Sequence, residues 1–117
     1  EDDDDQDGTT DVSPSARTMD DPASVWSDGT RLIVNDSDNN RVLIWNTWPE
    51  SNFEAADVVL GQKDFTNDAY NDADQNRIPD AGPGAGVMYY PNGVFGYGDL
   101  LFVSDCYNKR VLVFRSK

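Results

Sequence analysis

Leu32-Ile-Val34-Asn-Asp36-Ser-Asp-Asn39-Asn-Arg41-Val-Leu-Ile-Trp45 and Leu101-Phe-Val103-Ser-Asp105-Cys-Tyr-Asn108-Lys-Arg110-Val-Leu-Val-Phe114 are one pattern written twice. The match reaches back to Pro22-Ala-Ser-Val25 and Pro91-Asn-Gly-Val94 at a constant offset of 69 residues, from Pro22 to Pro91 and from Arg41 to Arg110, without a gap. Identity falls on Pro, Val, a Gly (Gly29 and Gly98), Leu, Val, Asp, Asn, Arg, Val and Leu, and the positions between them vary freely. Such self-similarity marks a repeat architecture, in which one supersecondary unit buries its apolar face against the next.

Each copy reads as a β-meander. A short strand is expected near Val25-Trp26 (Val94-Phe95), a turn at Asp28-Gly29 (Tyr97-Gly98), a second strand over Leu32–Val34 (Leu101–Val103), a polar turn, and a third strand over Val42–Trp45 (Val111–Phe114). The apolar runs are continuous rather than alternating, which suits strands packed on both faces. Ala56-Asp-Val-Val-Leu-Gly-Gln62 follows the first copy as a Val/Leu segment ended by Gly and predicts a fourth strand; after the second copy there is no counterpart before Lys117.

Charge narrows the range of partners. The chain of 117 residues carries a formal −13, and residues 1–21 hold nine acids against Arg17 alone. Such a surface repels phosphate backbones and anionic lipid heads, so no nucleic acid and no membrane is expected as a partner. No apolar run approaches the roughly 18–20 residues of a membrane span. The acidic head over 1–21 is too charged and too poor in apolar groups to bury itself, which predicts a disordered or extended tail. The chain has no histidine, which removes the commonest general base and zinc ligand, and its lone Cys106 is expected to be a half-buried turn residue.

Pro-x-x-Val followed by Leu-x-Val-x-Asp-x-x-Asn-x-Arg-Val-Leu, present in both copies, resembles the NHL-repeat signature, and Val59-Leu-Gly-Gln-Lys-Asp-Phe-Thr66 resembles the segment that links blades in secreted bacterial NHL proteins. The resemblance covers about residues 22–66 and 88–117. It implies an all-β fold of propeller blades, each a four-stranded antiparallel meander, with about two blades present and the propeller incomplete. The expected organisation is a tail over 1–21, a first blade over 22–61, an Asp/Asn/Gly-rich inter-blade loop over 62–87, and a second blade over 88–117 lacking its last strand.

Two sets of residues invite a functional reading. Asp36, Asn39 and Arg41, with Asp105, Asn108 and Arg110, fall at a strand end, in the turn and at the start of the next strand; they are expected to form a structural turn network held by an Asp–Arg link. In the inter-blade loop, Asp72, Asp74, Asn76, Ile78 (through its carbonyl) and Asp80 alternate like the first nine positions of an EF-hand-type calcium loop. Arg77 stands where such loops use Gly, and Pro83 where a bidentate acid closes the site, so a solvated loop competes with calcium. Trp26, Trp45, Tyr89, Tyr90 and Phe95 are expected in the blade core, and Trp48 at the surface.

Together these readings predict a non-enzymatic scaffold, a binding or self-assembly module whose partners are other copies of itself, further propeller blades, or a protein or glycan ligand. The alternative is an excised piece of a larger NHL propeller enzyme or glycan-binding protein. The resemblance brings in a lyase with a histidine-bound metal, and that catalytic set cannot exist within residues that include no His. The family resemblance, the acidic surface and the opening at Glu1 without an initiator Met point to an extracellular or secreted protein.

Overall fold

The computed structural model describes residues 2–116 and is all-β: among the described residues there is no helix, and seven strands form two antiparallel sheets. The first sheet runs β1 (Pro22–Ser27), β2 (Leu32–Asp36), β3 (Arg41–Trp45) and β4 (Val58–Leu60) in that spatial order; the second runs β5 (Pro91–Tyr97), β6 (Leu100–Asp105) and β7 (Arg110–Arg115). Each strand pairs with its chain neighbour, as a meander requires. The architecture is that of two blades of an incomplete propeller, the second one strand short.

The register explains the apolar runs. Trp26 pairs with Ile33 and Ile33 with Ile44, which puts these three side chains on one face of the first blade; Val25, Val34 and Leu43 share the other. Ile33, Val42 and Met88 are buried with Leu101 and Val103 of the second blade, and Trp26, Ile44, Leu60, Val94, Leu112 and Phe114 pack around them. The core therefore lies between the blades. Leu43, Trp45 and Ala56 form a smaller cluster on the opposite face of the first blade, with Met19, Val34, Val59 and Phe65 against it.

Two glycines permit this closeness. A Cβ on Gly96 would fall 2.5 Å from Cζ2 and 2.7 Å from Cζ3 of Trp26, so the bare backbone of β5 is the floor on which that indole lies. Gly61 has φ +93° and bridges Val87 in parallel; a Cβ there would meet the Asn40 carbonyl at 3.0 Å and the Met88 side chain at 3.1 Å.

The turn after β1 is fixed by Asp28, whose carboxylate accepts the amides of Arg31 (2.7 Å) and Thr30 (2.9 Å) and the Arg31 guanidinium (2.9 Å). These bonds, that from the Arg31 amide foremost, hold the Asp28 pKa at about 2 against an ordinary 3.8. Because the folded pKa is depressed, the cap contributes stability above the unfolded value and loses it as pH falls from about 4 to about 2. A carboxyl carbon NMR titration of Asp28 should show a midpoint near the lower figure; a midpoint near 4 would mean that the cap does not form in solution.

Residues 2–21 correct the expectation of a disordered or extended tail. Pro14 and Thr18 are buried, and the segment folds into a loop that repeats residues 71–90 at the same offset of 69. Pro14, Ala16 and Met19 match Pro83, Ala85 and Met88; Asp3, Asp5, Gln6 and Asp11 match Asp72, Asp74, Gln75 and Asp80. Left-handed backbone recurs at Gln6 and Gln75 (φ +58° and +57°), at Gly8 and Arg77 (+90° and +71°) and at Asp21 and Tyr90 (+52° each). Asp3, Asp5, Asp7 and Asp11 accept amides of the head's own turns. Glu1, the first of the acids, lies outside the described residues.

Candidate functional site

The turn between β2 and β3 is built around a buried ion pair. Arg41 Nε donates to Asp36 Oδ2 at 2.6 Å, Nη1 to the Phe65 carbonyl at 2.6 Å, and Nη2 to the carbonyls of Ser15 (2.9 Å) and Thr18 (3.0 Å). Asp36 also accepts the Asp20 amide at 2.7 Å and the Asn39 side-chain amide at 3.0 and 3.1 Å. Both charged side chains are fully buried. Burial pushes the Asp36 carboxyl above its ordinary pKa, and Arg41, the Asp20 amide and Asn39 pull against that shift.

The second blade repeats the arrangement with fewer contacts. Arg110 Nε donates to Asp105 Oδ2 at 2.7 Å, and Nη2 to the carbonyls of Gly84 (2.7 Å) and Val87 (2.8 Å), the counterparts of Ser15 and Thr18. Tyr89 N and Asn108 Nδ2 complete the ring of donors around Asp105. Among the described residues no carbonyl takes the place of that of Phe65 beside Arg110, and the Arg110 side chain is 26% exposed where that of Arg41 is 0%. Each network thus ties a β-turn to the chain segment entering its own blade, and each of the three guanidinium nitrogens of Arg41 donates to a protein acceptor. Its chemistry is structural clamping.

The linking segment acts as part of the clamp. Gln62 Nε2 points at the carbonyls of Asn40 (3.2 Å) and Ala69 (3.0 Å), while Asp64 caps the amides of Thr66 and Asn67.

The acidic loop after the linking segment places Asp72, Asp74 and Asp80 with carboxylate oxygens within 4.8 Å of one another. Asp72 Oδ1 accepts Asn76 N and Oδ2 accepts Arg77 N; Asp80 accepts Ala73 N, and Asn76 Oδ1 accepts Ile78 N. Burial opposes ionisation of Asp72, but these bonds and one from Asn67 outweigh it and leave its pKa below the usual carboxylate range. The Ile78 side chain is 66% exposed. Arg77 takes the left-handed turn conformation that the calcium-loop pattern assigns to Gly.

The sequence reading missed that the same loop occurs at the head of the chain. Asp3, Asp5 and Asp7 form a second cluster with oxygens within 4.8 Å. Asp7 N bonds Asp3 and Asp5, Gly8 N bonds Asp3, Thr9 N bonds Asp7, and Asp4 N bonds Asp11, each the counterpart of a bond in the later loop. Here Gly8 occupies the turn position and Asp7 supplies a third acid where the later loop has Asn76. The signal was legible as Asp-x-Asp-Gln at the repeat offset, but the density of charge concealed it.

Above the clamps the two copies differ. Tyr70 stacks on Tyr89 with ring centroids 3.9 Å apart, and Tyr90 on Tyr107 at 4.9 Å; the positions of Tyr89, Tyr90 and Tyr107 in the first copy are Asp20, Asp21 and Asp38. Tyr90 donates its hydroxyl to Asp21 across the junction, and this bond raises its pKa to about 12. Burial, together with the charges of Asp20 and Asp21, raises the Asp38 carboxyl.

The uncovered surface lies on the second blade. Phe95, Val111 and Val113 are 58%, 60% and 55% exposed, and they line one face around Phe102. Phe95 was expected in the core and is 58% exposed, because among the described residues no sheet stands against its face. Cys106, expected half-buried, is exposed. The free border of β7 adjoins this face, where β3 of the first blade is paired with β4. Trp48 is also exposed, above a shallow groove with Thr30, Thr47, Glu50 and Glu54. Neither a family model, a curated protein nor a solved structure matches the chain.

Proposed function

We propose that this chain is a non-enzymatic NHL-type β-propeller module, an extracellular scaffold for binding or self-assembly whose partners are other copies of itself or further blades. The supporting observation is the second blade, which offers an unpaired β7 border beside an apolar face. Free backbone N–H and C=O groups next to exposed Phe and Val side chains attract an extended strand or a second sheet.

Hydrogen exchange followed over a range of protein concentration tests the reading. The alternate amides of β7 that point away from β6 should exchange rapidly in dilute solution and become protected as the protein is concentrated, in step with a larger species in sedimentation. Unchanged exchange together with a monomer at every concentration would reject self-assembly as the function.

Calcium is a second reading, favoured by the recurrence of one acidic loop in both copies with its turn conformation and hydrogen bonds retained. Asp72, Asp74, Asn76, Ile78 and Asp80 would hold one ion, and Asp3, Asp5, Asp7, Thr9 and Asp11 another, in oxygen sets suited to a hard cation. Calorimetric titration should then give two ions per chain, reduced to one by Asp74→Asn or by Asp5→Asn. Neither heat nor a gain in melting temperature at millimolar calcium would dismiss the idea.

A further inference from the structure

Asp20, Asp21 and Asp38 of the first copy and Tyr89, Tyr90 and Tyr107 of the second hold the same backbone places above the clamps. The Asp38 amide donates to the Asp20 carbonyl and the Tyr107 amide to the Tyr89 carbonyl, both at 3.1 Å. Tyr70 lies flat on Tyr89, Tyr89 stands edge-on to Tyr107 with centroids 4.9 Å apart, and Tyr107 lies flat on Tyr90, so four phenol rings form one ladder. It ends at the Tyr90 hydroxyl, whose bond to Asp21 joins the rings to the acids of the neighbouring blade.

This rim is open to solvent. Tyr107 is 56% exposed although one face of its ring is spent on Tyr90, and Asp21 and Asp38 are exposed too. Asp38 stays exposed with the second blade packed beside the first, so exposure at this place in the repeat does not depend on what stands next to a blade. Among the described residues neither Asp21 nor Asp38 forms an ion pair. The acids crowd one another: after burial, the charges of Asp20 and Asp21 are what raise the Asp38 carboxyl.

We infer that the tyrosine ladder and the adjoining aspartates form a docking site for an arginine side chain on a basic segment of a partner protein. A guanidinium stacks on a phenol ring through its face and forks onto a carboxylate through its edge, and here ring and carboxylate adjoin. A lysine ammonium is a hydrated point charge that gains less from a flat ring. A metal ion fits worse, since the carboxylate oxygens of Asp3, Asp5 and Asp7 converge within 4.8 Å and those of Asp20, Asp21 and Asp38 do not. Nucleic acid bases would stack on the rings, but the acids repel their phosphates. The formal charge of −13 draws a cationic segment toward the chain. The site lies in the turns above the clamps and not along the β7 border, so it stands or falls apart from self-assembly.

A blocked peptide of three Arg-Gly repeats, titrated calorimetrically at low ionic strength, should bind at one saturable site. Its lysine version should bind severalfold more weakly, and its citrulline version, isosteric but uncharged, should not bind. Tyr107→Ala leaves the charge of the protein unchanged and should lower affinity about fivefold or more, the scale of one cation–π contact. Tyr107→Phe keeps the ring and should bind as the unaltered chain does. In amide spectra of the unaltered chain, the shifts caused by the arginine peptide should centre on Asp38 and Tyr107. Binding that Tyr107→Ala leaves unchanged would be general attraction to an acidic chain and would overturn the site. So would shifts centred elsewhere, equal binding of the citrulline peptide, or no saturable binding at all.

Discussion

Arg41→Ala should cost about 3–5 kcal/mol of folding stability, enough to remove a large part of the stability of a domain this size. The substitution deletes donors to Asp36, Phe65, Ser15 and Thr18 at once and leaves the Asp36 carboxylate buried without its counter-charge. Arg110→Ala should cost less: that side chain is 26% exposed, so water can reach Asp105 once the guanidinium is gone. Chemical denaturation of the two variants gives the comparison directly. Equal losses would show that the contact with the linking segment through Phe65 adds nothing. Neither loss would mean that the pair is not the clamp described here.

Gly96→Ala should destabilise by about 1–3 kcal/mol, the usual range for overfilling a packed core. The added methyl would lie within van der Waals distance of the Trp26 ring, and behind it stands the backbone of β5, which is paired with β6 along its length. Trp26 would have to leave the gap between the blades or force them apart. In a Trp26→Ala background the same glycine substitution should lose most of its effect, giving a coupling energy of about 0.5–3 kcal/mol in the double-mutant cycle. Additive losses would place the indole elsewhere. Thermal melts monitored by tryptophan fluorescence would also report whether the ring becomes solvated.

The internal repeat was the most informative feature of the sequence because strand pairing in a meander is local. Leu32-Ile-Val34 and Val42–Trp45 are joined by a short turn, so their antiparallel pairing follows from adjacency and leaves few alternative registers. The spacing of Asp36, Asn39 and Arg41 likewise placed three polar groups around one turn. Their remaining partners were not legible: the carbonyls of Ser15, Thr18 and Phe65 are backbone acceptors, and any residue type can supply a carbonyl. The acidic head was misread because charge density predicts solvation only when the charges have nothing local to bind. Here the carboxylates cap amides two to seven residues away, and the spacing of Asp3, Asp5 and Asp11 matters more than their number.

From the order of residues alone came the all-β meanders, the repeat with its period, the four-strand and three-strand blades, and the Asp–Arg turns, all set by contacts between neighbours in the chain. Tertiary structure decided which face of each meander is covered, because that depends on what stands beside it. Trp26 and Phe95 occupy the same place in the repeat; one is packed against Gly96, and the other faces solvent, with no described sheet against it.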